Sequence, residues 1–223
     1  LFGIKGDKKM GKIKVSPSLL SVDIGNIERD VKALERAVDY FHVDVMDGHF
    51  VPNLSFGVPV VKGLKKITDV PLDVHLMIDN PSKYIEPFVK AGSDILTVHI
   101  EAPDDIMLCL KKIKEYGIKS GLALNPDTDP KTIEPYLDYT DMVLQMTVFP
   151  GFGGQSMVES AIKNISVIRS MIGEKELEVD GGITAKNVSV LVNKGADVIV
   201  SGSGIFKYDD IADAAAKLRV AAD

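Results

Sequence analysis

Eight short runs rich in β-branched and other apolar residues recur along this chain, and amphipathic stretches with helical spacing lie between them. The runs are Lys12 to Pro17, Tyr40 to Val45, Leu72 to Leu76, Ile95 to Ile100, Lys119 to Leu124, Met142 to Thr147, Leu177 to Val179 and Val198 to Val200. The stretches between them include Ile24, Ile27, Val31, Leu34 and, later, Ile162, Ile165, Ile168, Met171, spaced to line one helix face. Asp23, Asn80-Pro81, Asp129-Pro130 and Thr184 mark helix starts, and Gly92, Gly117 and Gly195 mark ends. Strands alternating with helices pair in parallel through right-handed crossovers. Eight such units predict an α/β fold, a single (β/α)8 TIM barrel over residues 12–223.

The rival architecture is an open doubly wound sheet, which would carry a dinucleotide fingerprint after its first strand. This chain has Ser16-Pro17-Ser18 there, with no G-x-G-x-x-G nearby. A length of 223 residues is ordinary for one barrel and long enough to bury roughly three-quarters of the unfolded surface. Net charge is −6 with both signs interspersed, which disfavours nucleic acid as a partner. No apolar run approaches the ~18 residues of a membrane span, so no membrane role is expected. Cys109 is the only cysteine and sits among apolar neighbours. It reads as core, and a reducing cytoplasm fits. Leu1 to Lys9 lack the apolar core of a secretory signal. Residues 1–11 read as an N-terminal extension, with Met10 a candidate natural start.

In a parallel barrel the strand C-termini converge on one mouth, so residues far apart in sequence meet there. His42, Asp44, His75 and Asp180 all fall near predicted strand ends. Alternation in the second run puts His42, Asp44 and Met46 on one face and Phe41, Val43 and Val45 on the other. The second set is apolar and suits helices, so the first faces the barrel. A buried carboxylate needs a partner. Two imidazoles and two carboxylates around a point suit a divalent metal with nitrogen and oxygen ligands. Taken singly, His75 reads as a core histidine and Asp180 as a turn aspartate; the coincidence of all four favours a metal site. His99, followed two residues later by Glu101, is placed behind them. His49 reads as a surface or lid residue, and Asp47 as the shaper of its turn.

Gly151, Phe152, Gly153 and Gly154 follow the sixth strand, Gly181 and Gly182 the seventh, and Gly202 and Ser203 the eighth. Barrel enzymes seat phosphate in such loops, where backbone N–H groups of glycine approach an anion closely. Met46, Met77 and Met146 at strand ends read as the lining of a dry pocket, or as ordinary barrel filling.

Six segments resemble the ribulose-phosphate 3-epimerase family. They are Ser16-Pro17-Ser18, His42 to Asn53, His75-Leu76-Met77, Pro150 to Gln155, Val179 to Ile183 and Ser201-Gly202-Ser203. They lie in order over about residues 12 to 210. The resemblance implies a ribulose-phosphate-binding barrel that interconverts D-ribulose 5-phosphate and D-xylulose 5-phosphate in the pentose phosphate pathway, as a homo-oligomer. It implies one divalent ion per chain (Zn, Fe, Co or Mn) on His42, Asp44, His75 and Asp180. Asp44 and Asp180 become the acid/base pair. Ser18, His75, Asp180, Gly151 to Gly154, Gly181, Gly182, Gly202 and Ser203 become substrate contacts. One departure is Phe149, where the family more often has a polar or acidic residue.

Epimerisation at C3 of a ketose phosphate removes a proton beside a carbonyl and returns one on the opposite face. Two carboxylates serve the two faces, and a metal stabilises the enediolate charge as a Lewis acid. Two alternatives stay open: a D-allulose 6-phosphate 3-epimerase and a non-catalytic sugar-phosphate-binding barrel. A decarboxylase of the same barrel type would carry an Asp-x-Lys-x-x-Asp cluster at a strand end, and none is present.

Overall fold

The computed structural model describes residues 13–222. The reading of residues 1–11 as an extension lies outside them. The strands are β1 Lys14–Pro17, β2 Phe41–Met46, β3 Leu72–Met77, β4 Ile95–His99, β5 Lys119–Leu124, β6 Met142–Met146, β7 Glu176–Asp180 and β8 Val198–Ser201. The helices are α1 Ile27–Leu34, α2 Val58–Ile67, α3 Ile85–Ala91, α4 Ile106–Glu115, α5 Glu159–Ile172, α6 Val188–Val192, α7 Ser203–Phe206 and α8 Ile211–Val220. Each expected run is a strand, with ends that match or shift by one or two residues; Lys12 lies outside the described residues.

Four connections differ from the expected pattern. Asn80-Pro81 opens a 3-10 turn, Pro81–Lys83, and α3 starts only at Ile85. Thr184 precedes a turn, and α6 starts only at Val188, after Asn187. Pro130–Tyr139, after the Asp129 cap, is a 3-10 helix, not an α-helix. Pro135 inside it cannot donate an i→i−4 bond. Ile24 belongs to a separate 3-10 turn capped by Asp23 and is exposed, so the first α-helix starts only at Ile27.

All neighbouring strands pair in parallel, in the order β1-β8-β7-β6-β5-β4-β3-β2. Sequence neighbours are spatial neighbours, and β1 returns to β8, which closes the barrel except at the seam between β1 and β2. There the ladder shrinks to one parallel bridge, Ser18 to His42. Arg219 of α8 straps the base of this seam. Its guanidinium donates to Ile13 O at 2.6 Å, Ala37 O at 3.0 Å and Asp39 Oδ2 at 2.6 Å. Asp39 Oδ2 also accepts from Val15 N at 2.8 Å.

Outward side chains such as Val43, Val74, Leu96, Val98, Leu122 and Val179 pack under the helices in the main core. Each fully buried aliphatic side chain of this kind contributes about 1.5–3 kcal/mol. Inward positions form layers. Tyr40, Ile95, Met142 and Val198 pack together near the base. Gly121 faces inward opposite Thr97, where a Cβ would fall 2.0 Å from the threonine hydroxyl, so only glycine fits. The base itself is closed by charge. Lys14 and Lys119 donate to Tyr40 Oη at 2.6 and 3.2 Å, and Tyr40 donates to Glu176 at 3.1 Å. Both lysines also pair with Glu176.

Candidate active site

β2 and β3 lie in register with His42 beside Asp73, Asp44 beside His75 and Met46 beside Met77. Alternation turns all six of these side chains inward. β7 contributes Glu178 and Asp180 by the same rule. Ligating atoms of His42, Asp44, His75 and Asp180 all lie within 4.8 Å of one another. His42 and His75 are fully buried, Asp44 nearly so, and Asp180 is half-buried and faces the cleft. His42 is only the second residue of β2, not near its end. The stagger of a closed barrel sets it level with Ser18, just past the end of β1.

His42 Nε2 lies 3.3 Å from His75 Nδ1 and 3.4 Å from Asp44 Oδ1, and His75 Nδ1 lies 3.5 Å from the same oxygen. Ser18 Oγ donates to the other Asp44 oxygen at 2.6 Å. The outer nitrogens are held as well. His42 Nδ1 meets Asp73 Oδ2 at 2.6 Å, with Glu178 Oε1 at 3.8 Å. His75 Nε2 meets His99 Nε2 at 2.8 Å, and His99 Nδ1 meets Glu101 Oε2 at 3.0 Å.

Burial opposes charge on His42, but Asp73 and Asp44 outweigh it and raise its pKa well above the usual value. Burial likewise opposes the charge on Asp44, and His42 and His75 outweigh it and hold the carboxyl well below its usual range. Burial, with His99 and His42, keeps His75 at about 4 against the pull of Asp44. Burial first, then the Asp44 charge, raises Asp180 to about 7. Burial and the Asp73 charge raise Glu178. The cluster therefore draws positive charge to its centre, which suits a divalent cation with two nitrogen and two oxygen ligands.

Above the cluster opens a narrow cleft. Ser18, Asp44, Asp180, Gly151, Phe152, Gly153, Gly154, Gly181, Gly182, Gly202 and Ser203 line it, with Met46, Met77 and Met146 among its apolar wall. His75, expected also to touch substrate, is buried and outside this lining. Phe149 is 48% exposed and also lies outside it. Gln155 Nε2 bonds the carbonyls of Phe149 and Phe152, and Asn53 Nδ2 reaches across to Gly151 O at 2.7 Å. A Cβ at Gly202 would fall 2.5 Å from Ser21 Oγ. Asp47 accepts the amides of His49, Phe50 and Asp79 and shapes its turn; His49 is exposed. Asp73, Glu178 and Ser21 join the site without standing out in the sequence. The alternation that placed His42 and Asp44 would have found the first two if carried into β3 and β7.

A (β/α)8 barrel with this cluster at its C-terminal mouth and a glycine-lined cleft above defines a barrel enzyme. Its fold is shared with 3-hexulose-6-phosphate synthase from Salmonella typhimurium (TM-score 0.72, 19% identity, 94% of this chain and 98% of that one). It is also shared with KGPDC from Streptococcus mutans (TM-score 0.73, 16% identity, 95% and 98%). The ribulose-phosphate 3 epimerase family matches residues 14–206. The chain is 43% identical to ribulose-phosphate 3-epimerase of Bacillus subtilis (strain 168), over 93% of this chain and 98% of that one. It is 48% identical to the chloroplastic ribulose-5-phosphate-3-epimerase of Arabidopsis thaliana, over 91% and 74%. The chain belongs to the ribulose-phosphate 3-epimerase family.

Proposed function

We propose that this enzyme interconverts D-ribulose 5-phosphate and D-xylulose 5-phosphate by moving the proton at C3, using Asp44 and Asp180 as the acid/base pair. One observation carries the reading: two carboxylates from β2 and β7 share one mouth, and their surroundings push their pKa values in opposite directions. A pair so divided supplies a base and an acid at once. Asp44, held ionised, takes the proton from one face of C3; Asp180 returns one to the other face. In the reverse direction the roles exchange. Ser18 fixes the Asp44 carboxylate by its 2.6 Å hydrogen bond, so the base meets C3 in one orientation. Met46, Met77 and Met146 exclude water from the reacting carbon. Backbone N–H groups at Gly181, Gly182, Gly202 and Ser203 bind the phosphate dianion.

His42, Asp44, His75 and Asp180 are the residues that would hold one divalent ion (Zn, Fe, Co or Mn). Bound there, it would supply Lewis-acid stabilisation of the negative charge that develops on the substrate oxygens. Family membership further supports a role in the pentose phosphate pathway and assembly as a homo-oligomer. Cys109, buried and with its thiol pushed up to about 12 chiefly by burial, is compatible with a reducing cytoplasm.

Steady-state kinetics on D-ribulose 5-phosphate and D-allulose 6-phosphate, with elemental analysis of the same sample, test the reading. The expected result is a higher kcat/KM for the pentose and one ion per chain. A preference for the hexulose phosphate would reassign the substrate. Binding of either sugar without turnover would make the chain a carrier.

A further inference from the structure

The contacts of His75 continue away from the cleft, and their chemistry has a direction. Glu101 is its fixed end. Glu101 Oε1 accepts the amide of Asn125 at 2.7 Å and the hydroxyl of Thr128 at 2.5 Å, so the side chain serves as a carboxylate acceptor. His99 Nδ1, 3.0 Å from Glu101 Oε2, must then donate. A neutral imidazole carries one N–H, so His99 Nε2 is left with its lone pair. That nitrogen lies 2.8 Å from His75 Nε2. The two rings are nearly parallel at 22°, with centroids 4.9 Å apart. Nitrogens so much closer than the centroids point edge to edge, and one proton must lie between them. With His99 neutral, only His75 can supply it. Its remaining nitrogen, Nδ1, is then bare, and this is the atom 3.5 Å from Asp44 Oδ1 at the centre of the cluster.

We infer that His99 and Glu101 are positioning residues that fix the tautomer of His75 and so aim a lone pair at the cation site. The two histidines are oriented by different routes. His42 leans directly on the buried carboxylate of Asp73, whereas His75 takes its polarity through a second imidazole from a carboxylate on the loop after β4. His99 is fully buried, with Phe50 packed against its ring at a centroid distance of 4.9 Å, so neither ring is free to turn over. Partners of this kind raise metal affinity by about 10–100-fold.

The inference rests on the metal reading of the cluster, and its test has an arm that does not need the ion. Nitrogen-15 NMR of the imidazoles in the chelator-treated full chain reports which nitrogen of His75 bears hydrogen. Competition between the protein and a chromophoric chelator reports its affinity for Co(II). In the unsubstituted chain, His75 should be the Nε2–H tautomer. His99→Leu should shift His75 to the Nδ1–H form or a mixture, and weaken Co(II) binding by about 10–100-fold. Glu101→Ala, at a half-buried and more tolerant position, should do the same to a smaller degree and carries the test if His99→Leu fails to fold. His99→Gln can both accept and donate, and should restore the tautomer and most of the affinity; a merely space-filling role would not distinguish it from His99→Leu. Unchanged His75 tautomer in folded His99→Leu or Glu101→Ala, with Co(II) affinity within about twofold, would overturn the inference. If the unsubstituted chain takes up no Co(II), the metal reading falls, and the tautomer comparison alone decides the relay.

Discussion

At the base of the barrel, Lys14, Lys119, Tyr40 and Glu176 meet; at the mouth, His42, Asp44, His75 and Asp180 meet. Both groups join residues from distant strands around the barrel axis. The base contains its own answer, because two ammonium groups and a phenol satisfy one carboxylate. The mouth contains mostly acceptors, and one of its carboxyls holds its proton to about pH 7. A self-satisfied cluster can only stabilise, whereas one that needs a partner from outside can bind and react. Burial does not separate them, since the cluster at the mouth is the more buried of the two. The difference lies in the balance of donors and acceptors.

The sharpest way to break this contrast is to remove charge from the mouth. Asp44→Asn and Asp180→Asn should each lower kcat for epimerisation by about 10²–10⁴-fold or more. Each variant should still exchange the C3 proton of only one epimer with deuterated solvent, read by NMR alongside metal content. Near-normal turnover in both directions by a metal-loaded Asp180→Asn chain would require another acid. Next in size, the double variant His42→Ala/His75→Ala should lose its divalent ion in elemental analysis yet keep its circular dichroism. Because Asp73 and Asp44 raise His42 well above its usual pKa, a proton competes with the ion for this cluster. Ion affinity should therefore fall as pH is lowered, measurable by titration calorimetry at several pH values.

A smaller effect is expected at the rim. Gly202→Val places carbon against Ser21 and at the proposed phosphate seat, and should raise KM about tenfold or more with kcat less affected. Unchanged KM in the folded variant would move the phosphate elsewhere. The smallest effect belongs to the base. Glu176→Gln should cost about 1–2 kcal/mol in urea unfolding, with kcat and metal content unchanged. Burial opposes the charge on Lys14 and Glu176, but their mutual contacts outweigh it, raising the first and lowering the second. The Lys14 contribution is present below the unfolded lysine pKa of about 10.4 and is lost as pH rises through its folded value. The Glu176 contribution is present above about 4.3 and is lost as pH falls. The destabilisation by Glu176→Gln should thus be level from about pH 5 to 10.

The fold was legible because parallel strands buried on both sides read as β-branched runs, and helix-ending glycines such as Gly92 need a left-handed φ of 109°. The connection at Pro130–Tyr139 carries a cap that also suits an α-helix, and only Pro135 inside it points to the 3-10 form. At the site, the His42-x-Asp44 pair of β2 and Asp180 at the end of β7 stand out. Asp73, beside His42 in register, and Glu178 do not, since each is a lone acidic residue between apolar neighbours and acts only through a neighbour in space. Ser21 carries no signal at all in sequence; its proximity to Gly202 arises from the packing of the β1 and β8 loops.

The strap formed by Arg219 has a consequence for the order in which the molecule is made. Its target, Ile13 O, lies 206 residues earlier in the chain. β1 also waits for β8 before it has a ladder on either side, since its contact with β2 is a single bridge. During synthesis, therefore, the first strand emerges early and stays without its main partner until the eighth strand and α8 have followed. Contacts of such long sequence separation form slowly, and the segments that wait expose unpaired edges. Ser18 and His42 flank this seam, so the mouth is completed only when the last helix draws the barrel shut.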